Sequence, residues 1–101
     1  MKLRFSPAAD GDLAALQDYL SHVYDPSRVR KTFDGILRQC KRLETWPEMG
    51  RPRDELRPGW RSLNISRTVM VVFYRLDHDR GLVEVLRVLD GRRDLPAIVG
   101  E

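Results

Sequence analysis

Arginine is the residue type best placed to do chemistry in this chain, and it concentrates in the second half. The stretch Gly50-Arg51-Pro52-Arg53-Asp54-Glu55-Leu56-Arg57-Pro58-Gly59-Trp60-Arg61-Ser62 leads into an apolar run ending Phe73-Tyr74-Arg75. A later stretch, Val83-Glu84-Val85-Leu86-Arg87-Val88-Leu89-Asp90-Gly91-Arg92-Arg93-Asp94-Leu95, carries three more. A guanidinium is always charged and presents its donors as a planar fork, so each of these side chains must meet an anion. That anion is RNA, a carboxylate on a partner protein, or a neighbouring side chain. Arg51, Arg53, Arg57, Arg61, Arg87, Arg92 and Arg93 are the candidate contact residues.

Proton-shuttling groups are scarce beside these cations. His22 falls near the end of a predicted helix, where a cationic residue suits the helix dipole. His78 sits in the polar turn Asp77-His78-Asp79 and reads as solvated. Neither has Cys or His neighbours at ligand spacing, so no metal is expected. Asp77 and Asp79 lack the rest of a calcium loop. Cys40 lies on an apolar stripe and reads as core. No cofactor is implied.

The elements that must position the arginines are legible from spacing. Lys2 to Phe5 reads as a short strand. Ser6-Pro7 is a helix start, with Ser6 as cap and Pro7 in the first turn. Leu13, Leu16, Leu20 and Val23 then share one helical face. Gly11 weakens that helix by roughly 1 kcal/mol relative to Ala. Asp25-Pro26 repeats the start signal. Val29, Phe33, Ile36, Leu37, Cys40 and Leu43 form a second stripe, which Trp46-Pro47 ends. So short a connection predicts an antiparallel helical hairpin.

Residues 44–59 read as a connecting loop. Trp60 to Ile65 is a predicted strand, Ser66-Arg67 a tight reversal, and Val69 to Tyr74 a central strand covered on both faces. Leu76 to Gly81 reads as a polar turn and Leu82 to Leu89 as the last strand. Gly91 breaks it, and a short tail with Pro96 follows. The predicted fold is α+β, in the order β-α-α-β-β-β. A helical hairpin packs on one face of a small, mostly antiparallel sheet, in one domain over residues 1–101.

Bulk composition sets limits. The chain has 101 residues, 42% hydrophobic and 33% charged, which suits one compact core. Net charge is +3 and the pI is about 9.4. That permits an acidic partner or nucleic acid without requiring either. Charge is divided unevenly. Ser6 to Asp25 carries four acids and no base, whereas Arg28 to Arg42 carries six bases and one acid. The basic helix reads as a solvated face, as pairing across the hairpin with the acidic helix, or as a surface facing a partner protein or DNA. A single cysteine forbids an intrachain disulfide and points to a reducing, cytoplasmic setting. No apolar h-region follows the first residues, and no window nears the ~18 apolar residues of a membrane span.

This ordered set of residues resembles the ParE branch of the RelE/ParE superfamily of bacterial toxins, over nearly the whole chain. The likeness runs from Phe5-Ser6-Pro7-Ala8-Ala9 and Asp12-Leu13 through Gly50-Arg51, Glu55-Leu56-Arg57-Pro58-Gly59, Arg61-Ser62 and Phe73-Tyr74-Arg75. It is densest from Val83 to Leu89 and in Gly91-Arg92-Arg93-Asp94-Leu95. Asp90 stands where the family commonly carries His, and Leu63 where an aromatic residue is common.

The resemblance implies the toxin of a type II toxin–antitoxin pair. ParE-like toxins inhibit DNA gyrase, whereas RelE-like members cleave mRNA in the ribosome. A cognate antitoxin, ParD-like with a ribbon-helix-helix start, wraps and silences the toxin, and operator DNA is reached only through that antitoxin. Cleavage by 2′-hydroxyl attack needs a base, an acid and cations at the phosphate. RelE-like nucleases place Tyr, or a His-Tyr pair, in the C-terminal tail. Here Leu95-Pro96-Ala97-Ile98-Val99-Gly100-Glu101 holds neither. They also tend to carry an arginine in the strand matching Val69 to Phe73, which is wholly apolar here. The reading is therefore a toxin that acts by binding gyrase, with an mRNA endonuclease and a non-toxic interaction module on the same fold as alternatives.

Overall fold

The computed structural model describes residues 1–99. Strand β1 (Lys2–Phe5) leads into helices α1 (Pro7–Val23) and α2 (Pro26–Lys41), and a 3-10 turn (Arg42–Glu44) extends α2. Then come β2 (Arg51–Pro52), β3 (Arg61–Asn64), β4 (Met70–Asp77), β5 (Leu82–Asp90) and the short α3 (Leu95–Val99). The sheet order is β1-β5-β4-β3-β2. Only the β1–β5 pair is parallel, with Lys2 opposite Leu82 and Phe5 opposite Val85.

Both helix starts follow the capping chemistry of the sequence. The Ser6 hydroxyl accepts from Ala9 N at 3.1 Å, and an Asp25 carboxylate oxygen accepts from Arg28 N at 2.9 Å. Each cap satisfies a donor that the first helical turn leaves open, and the proline that follows it adds no further one.

Two apolar layers sandwich the sheet. On the hairpin side Ala9, Ile36 and Cys40 pack with Val72, Val85 and Val88, and Leu13 and Leu16 lie against them. A second cluster joins Val71, Phe73 and Leu89 to Leu56, Leu95 and Val99. The central strand is thus covered on both faces, as its unbroken apolar run predicts. The cover of the second cluster is a correction to the sequence reading. The 44–59 loop supplies Leu56 and contains the two-residue strand β2, and the tail forms α3. Neither segment has the periodicity that marks a longer element.

Further corrections concern the ends of elements. Strand β4 continues to Asp77, because Arg75, Leu76 and Asp77 pair with Glu84, Val83 and Leu82. Val23, the last residue of α1, is 52% exposed. Leu37 is also exposed. It follows Ile36 directly, and the helical rotation of about 100° per residue turns it off the buried line of Val29, Ile36 and Cys40. Among the described residues, no helix is long and apolar enough to cross a membrane.

Edges of the sheet are closed by named contacts. Leu3 N donates to the Glu44 carboxylate at 2.7 Å, and Met1 N donates to Glu44 O at 3.1 Å. The 3-10 turn therefore covers part of the outer side of β1, which would otherwise present a free donor. The Lys41 ammonium and the Leu3 amide together hold the Glu44 carboxyl below its usual range.

A groove between the hairpin and the sheet

The seven candidate arginines do not form one site. Four of them lie around β2, β3 and the loop between, and three of these donate to acceptors within the chain. Arg61 donates through Nε and Nη2 to Gly50 O at 3.0 and 2.7 Å, and through Nη2 to Glu48 O at 3.1 Å. Tyr74, fully buried, completes this clamp. Its hydroxyl donates to Pro47 O at 2.8 Å and accepts from Gly50 N at 2.9 Å. Arg53 donates to Glu55 at 2.7 Å and to Ser62 Oγ at 3.3 Å. Arg57 donates to Val99 O at 2.6 Å, fastening α3 beside the loop. Arg51 is exposed on β2.

Arg87 also faces inward. It grips Asp12 of α1 with Nε and Nη2 at 2.8 and 2.9 Å, and the same carboxylate accepts Val88 N at 2.9 Å. Neither Glu84 on the same strand nor Asp94 just past its end is its partner. Glu84 pairs with Arg75, and Asp94 accepts Ala97 N at the start of α3. Strict alternation also places Val85 and Leu89 on one strand face and Val88 on the other. A bulge opposite Phe73 and Tyr74 breaks that alternation, so Val85 and Val88 share the hairpin side and Leu89 joins the other cluster. The bidentate bond raises the Arg87 pKa further.

Arg92 and Arg93 reach a different place. With Tyr19 and Leu16 of α1, Val69 of the β3–β4 turn, and Met70 and Val88 of the sheet, they line a groove of about 680 Å³ between hairpin and sheet. Arg92 donates to Asp90 at 3.1 and 2.7 Å and, with the Arg92 amide, holds that carboxyl down to about 2. Arg28 and Arg67 line the same groove. Neither is among the seven candidates. Tyr19 at 63% and Val69 at 43% exposure give it open apolar surface. Its chemistry is that of a receptor for an amphipathic segment with acidic side chains, in which apolar anchors and desolvated charge pairs carry affinity.

Nucleophilic chemistry finds no support at Cys40, which is buried in the core with its thiol pushed up to about 12 by desolvation. His22 is exposed, with Nδ1 at 2.7 Å from Asp18 O, and His78 is exposed in its turn.

Comparison with known proteins agrees with this architecture. A profile of the family described as "ParE toxin of type II toxin-antitoxin system, parDE" matches residues 3–95. Toxin ParE3 of Caulobacter vibrioides is 42% identical over 60 residues, which is 59% of this chain and 56% of that protein. Toxin ParE1 of Mycobacterium tuberculosis is 30% identical over 90 residues, 89% of each chain. Among solved structures, the chromosomal ParDE system of P. aeruginosa aligns with a TM-score of 0.75 at 26% identity, over 87% of this chain and 92% of that one. The toxin–antitoxin complex RelBE2 of Mycobacterium tuberculosis shares the fold, with a TM-score of 0.54 at 24% identity over 86% of this chain and 93% of that one. With the family profile spanning all five strands and both long helices, this chain belongs to the ParE toxin family of type II toxin–antitoxin systems.

Proposed function

We propose that the protein arrests growth by binding DNA gyrase, without catalysing a reaction itself, and that a cognate ParD-like antitoxin neutralises it. The observation that carries the binding mode is the groove between α1, α2 and the sheet, with Tyr19 and Val69 open to solvent and Arg28, Arg67, Arg92 and Arg93 among its lining. An antitoxin segment would lay apolar anchors between the tyrosine and the sheet and set its acids against the arginines. The partner's class is supported by the family and by the ParDE assignment of a structural neighbour.

Commitment of Arg61 and Arg87 to internal acceptors supports action by binding. A nuclease needs free cations beside a proton acceptor and a proton donor. Here Arg61 and Arg87 hold the fold together instead.

The test uses purified toxin, gyrase and relaxed plasmid. Expected is loss of supercoiling or accumulation of gyrase-linked DNA breaks, reversed by the co-purified antitoxin. Codon-spaced mRNA cuts in a translating extract, with supercoiling intact, would overturn the proposal in favour of an endonuclease. Normal growth of a bacterium expressing soluble toxin would overturn it in favour of a non-toxic module.

A further inference from the structure

Beside the apolar groove runs a second one whose chemistry differs. We infer that the groove between α2 and the β3–β4 turn binds one phosphate strand of duplex DNA through Arg28, Lys31, Arg38 and Arg67. All four line it, together with Thr32, Gly35 and Ser66, and no acid lines it.

Several observations carry this. Positions 28, 31, 35 and 38 recur at three and four residues, so they share one helical face about 15 Å long. Among the described residues, none of the four cations makes an ion pair, and no ion pair joins α1 to α2. The acidic helix therefore does not neutralise the basic one. Asp34 lines a separate pocket with Gln17 and Arg30. The two walls are held at a fixed separation, because Gln39 of α2 accepts from Ser66 N at 2.9 Å. Arg67 sits at φ +65°, a left-handed conformation that favours glycine, so the turn wall of the groove carries a cation at a position whose backbone prefers another residue. Gly35 leaves the middle of the helical wall bare, and a Cβ there would meet only an Arg38 nitrogen at 3.8 Å.

A protein segment is the less fitting occupant. The adjoining groove offers Tyr19, Val69 and Met70, whereas here the one large apolar residue of the lining, Ile65, is 2% exposed. Cations without apolar anchors on two walls match a polyanion read through its phosphates. The choice of DNA over RNA rests on the gyrase reading, since gyrase presents a duplex to whatever binds it. Arg28 and Arg67 line both grooves, so the two occupants meet at those residues.

The test is fluorescence anisotropy of a labelled DNA duplex with the full chain across a KCl series, beside an RNA duplex of the same sequence. Expected is a salt slope approaching −3.6, about −0.9 for each of four neutralised phosphates. Gly35→Glu sets a carboxylate among the cations and should weaken binding roughly tenfold at low salt. Arg67→Gly should weaken it severalfold while keeping or raising Tm, so the loss does not come from unfolding. Arg4→Gln, an equal change in net charge at an exposed residue of the edge strand β1, should have an effect within about twofold.

Absence of duplex binding at low salt overturns the inference, as does equal weakening by Gly35→Glu and Arg4→Gln. Equal or tighter binding of the RNA duplex overturns the choice of DNA. Loss of antitoxin affinity in Gly35→Glu with DNA affinity intact assigns the groove to an acidic protein segment instead. A toxin that blocks supercoiling yet fails to bind the duplex sinks this inference and leaves the gyrase reading standing.

Discussion

Two arginine-rich regions of this molecule do opposite things. Around β2 and β3, Arg53, Arg57 and Arg61 spend their donors on Glu55, Ser62, Val99, Gly50 and Glu48. Along α2 and the β3–β4 turn, Arg28, Lys31, Arg38 and Arg67 have no ion-pair partner among the described residues. The first region carries part of the resemblance to other toxins, yet its guanidinium groups act as rivets for a loop. The second is less conspicuous as a motif and leaves its charge facing solvent. An arginine's place in a recognisable motif therefore says little about whether it touches a partner. The acceptors within reach decide that.

The sharpest way to break the contrast is to remove a rivet and look for a change in binding alone. Asp12→Ala leaves Arg87 and Val88 N without their shared acceptor in a partly buried setting, and should cost on the order of 3 kcal/mol in urea unfolding. If stability holds and only antitoxin affinity falls, the internal role assigned to Arg87 is wrong. Tyr74→Phe strips two bonds from the buried clamp on residues 47–50 and should cost about 2 kcal/mol. A cost below a few tenths would show that the clamp is not needed.

Binding-side changes should show the reverse. Tyr19→Ala removes an exposed aromatic anchor from the apolar groove and should weaken antitoxin binding by about 2 kcal/mol, roughly 30-fold, in calorimetry. Its Tm should move little. Lys31→Ala in the cationic groove should leave stability within about 0.5 kcal/mol, because it is exposed and has no ion-pair partner among the described residues. A larger loss would mean this region is also riveted.

The smallest effect is a pH dependence. Arg92 holds the Asp90 carboxyl near 2 from an ordinary 3.8, so the folded state prefers it ionised. That contribution is complete above the unfolded pKa and is lost as pH falls through the folded value. Wild type and Asp90→Asn should thus differ most in Tm above about pH 4 and converge towards pH 2. Exposure of Arg92 keeps the difference small. A constant difference across that range would place the effect in the turn at Gly91 and not in the ion pair.

Much of the fold was legible because its signals are local. Ser6-Pro7 and Asp25-Pro26 mark helix starts by chemistry confined to one turn, and the run from Val69 to Tyr74 marks a strand buried on both sides. What stayed hidden depends on distant partners. Nothing near Arg87 in the chain points to Asp12, seventy-five residues away. The bulge beside it erases the alternation that would assign its neighbours to faces. Strand β2 and helix α3 are too short to show a period. The basic face of α2 was visible as charge, but its lack of partners on α1 was not, since helical spacing does not say how two helices rotate about each other. Arg67 and Tyr19 escaped for a similar reason, because a groove is a property of surfaces brought together.

The pairing of β1 with β5 sets the order in which this protein can come into being. Strand β1 waits for Leu82 to Val85, so a growing chain carries it unmatched until β5 has been made. Only then do Ser6 and Asp12 find Leu86 and Val88, and only then is the groove wall complete. A polypeptide stopped short of β5 is built without the wall that Val88, Leu89 and Asp90 give the groove.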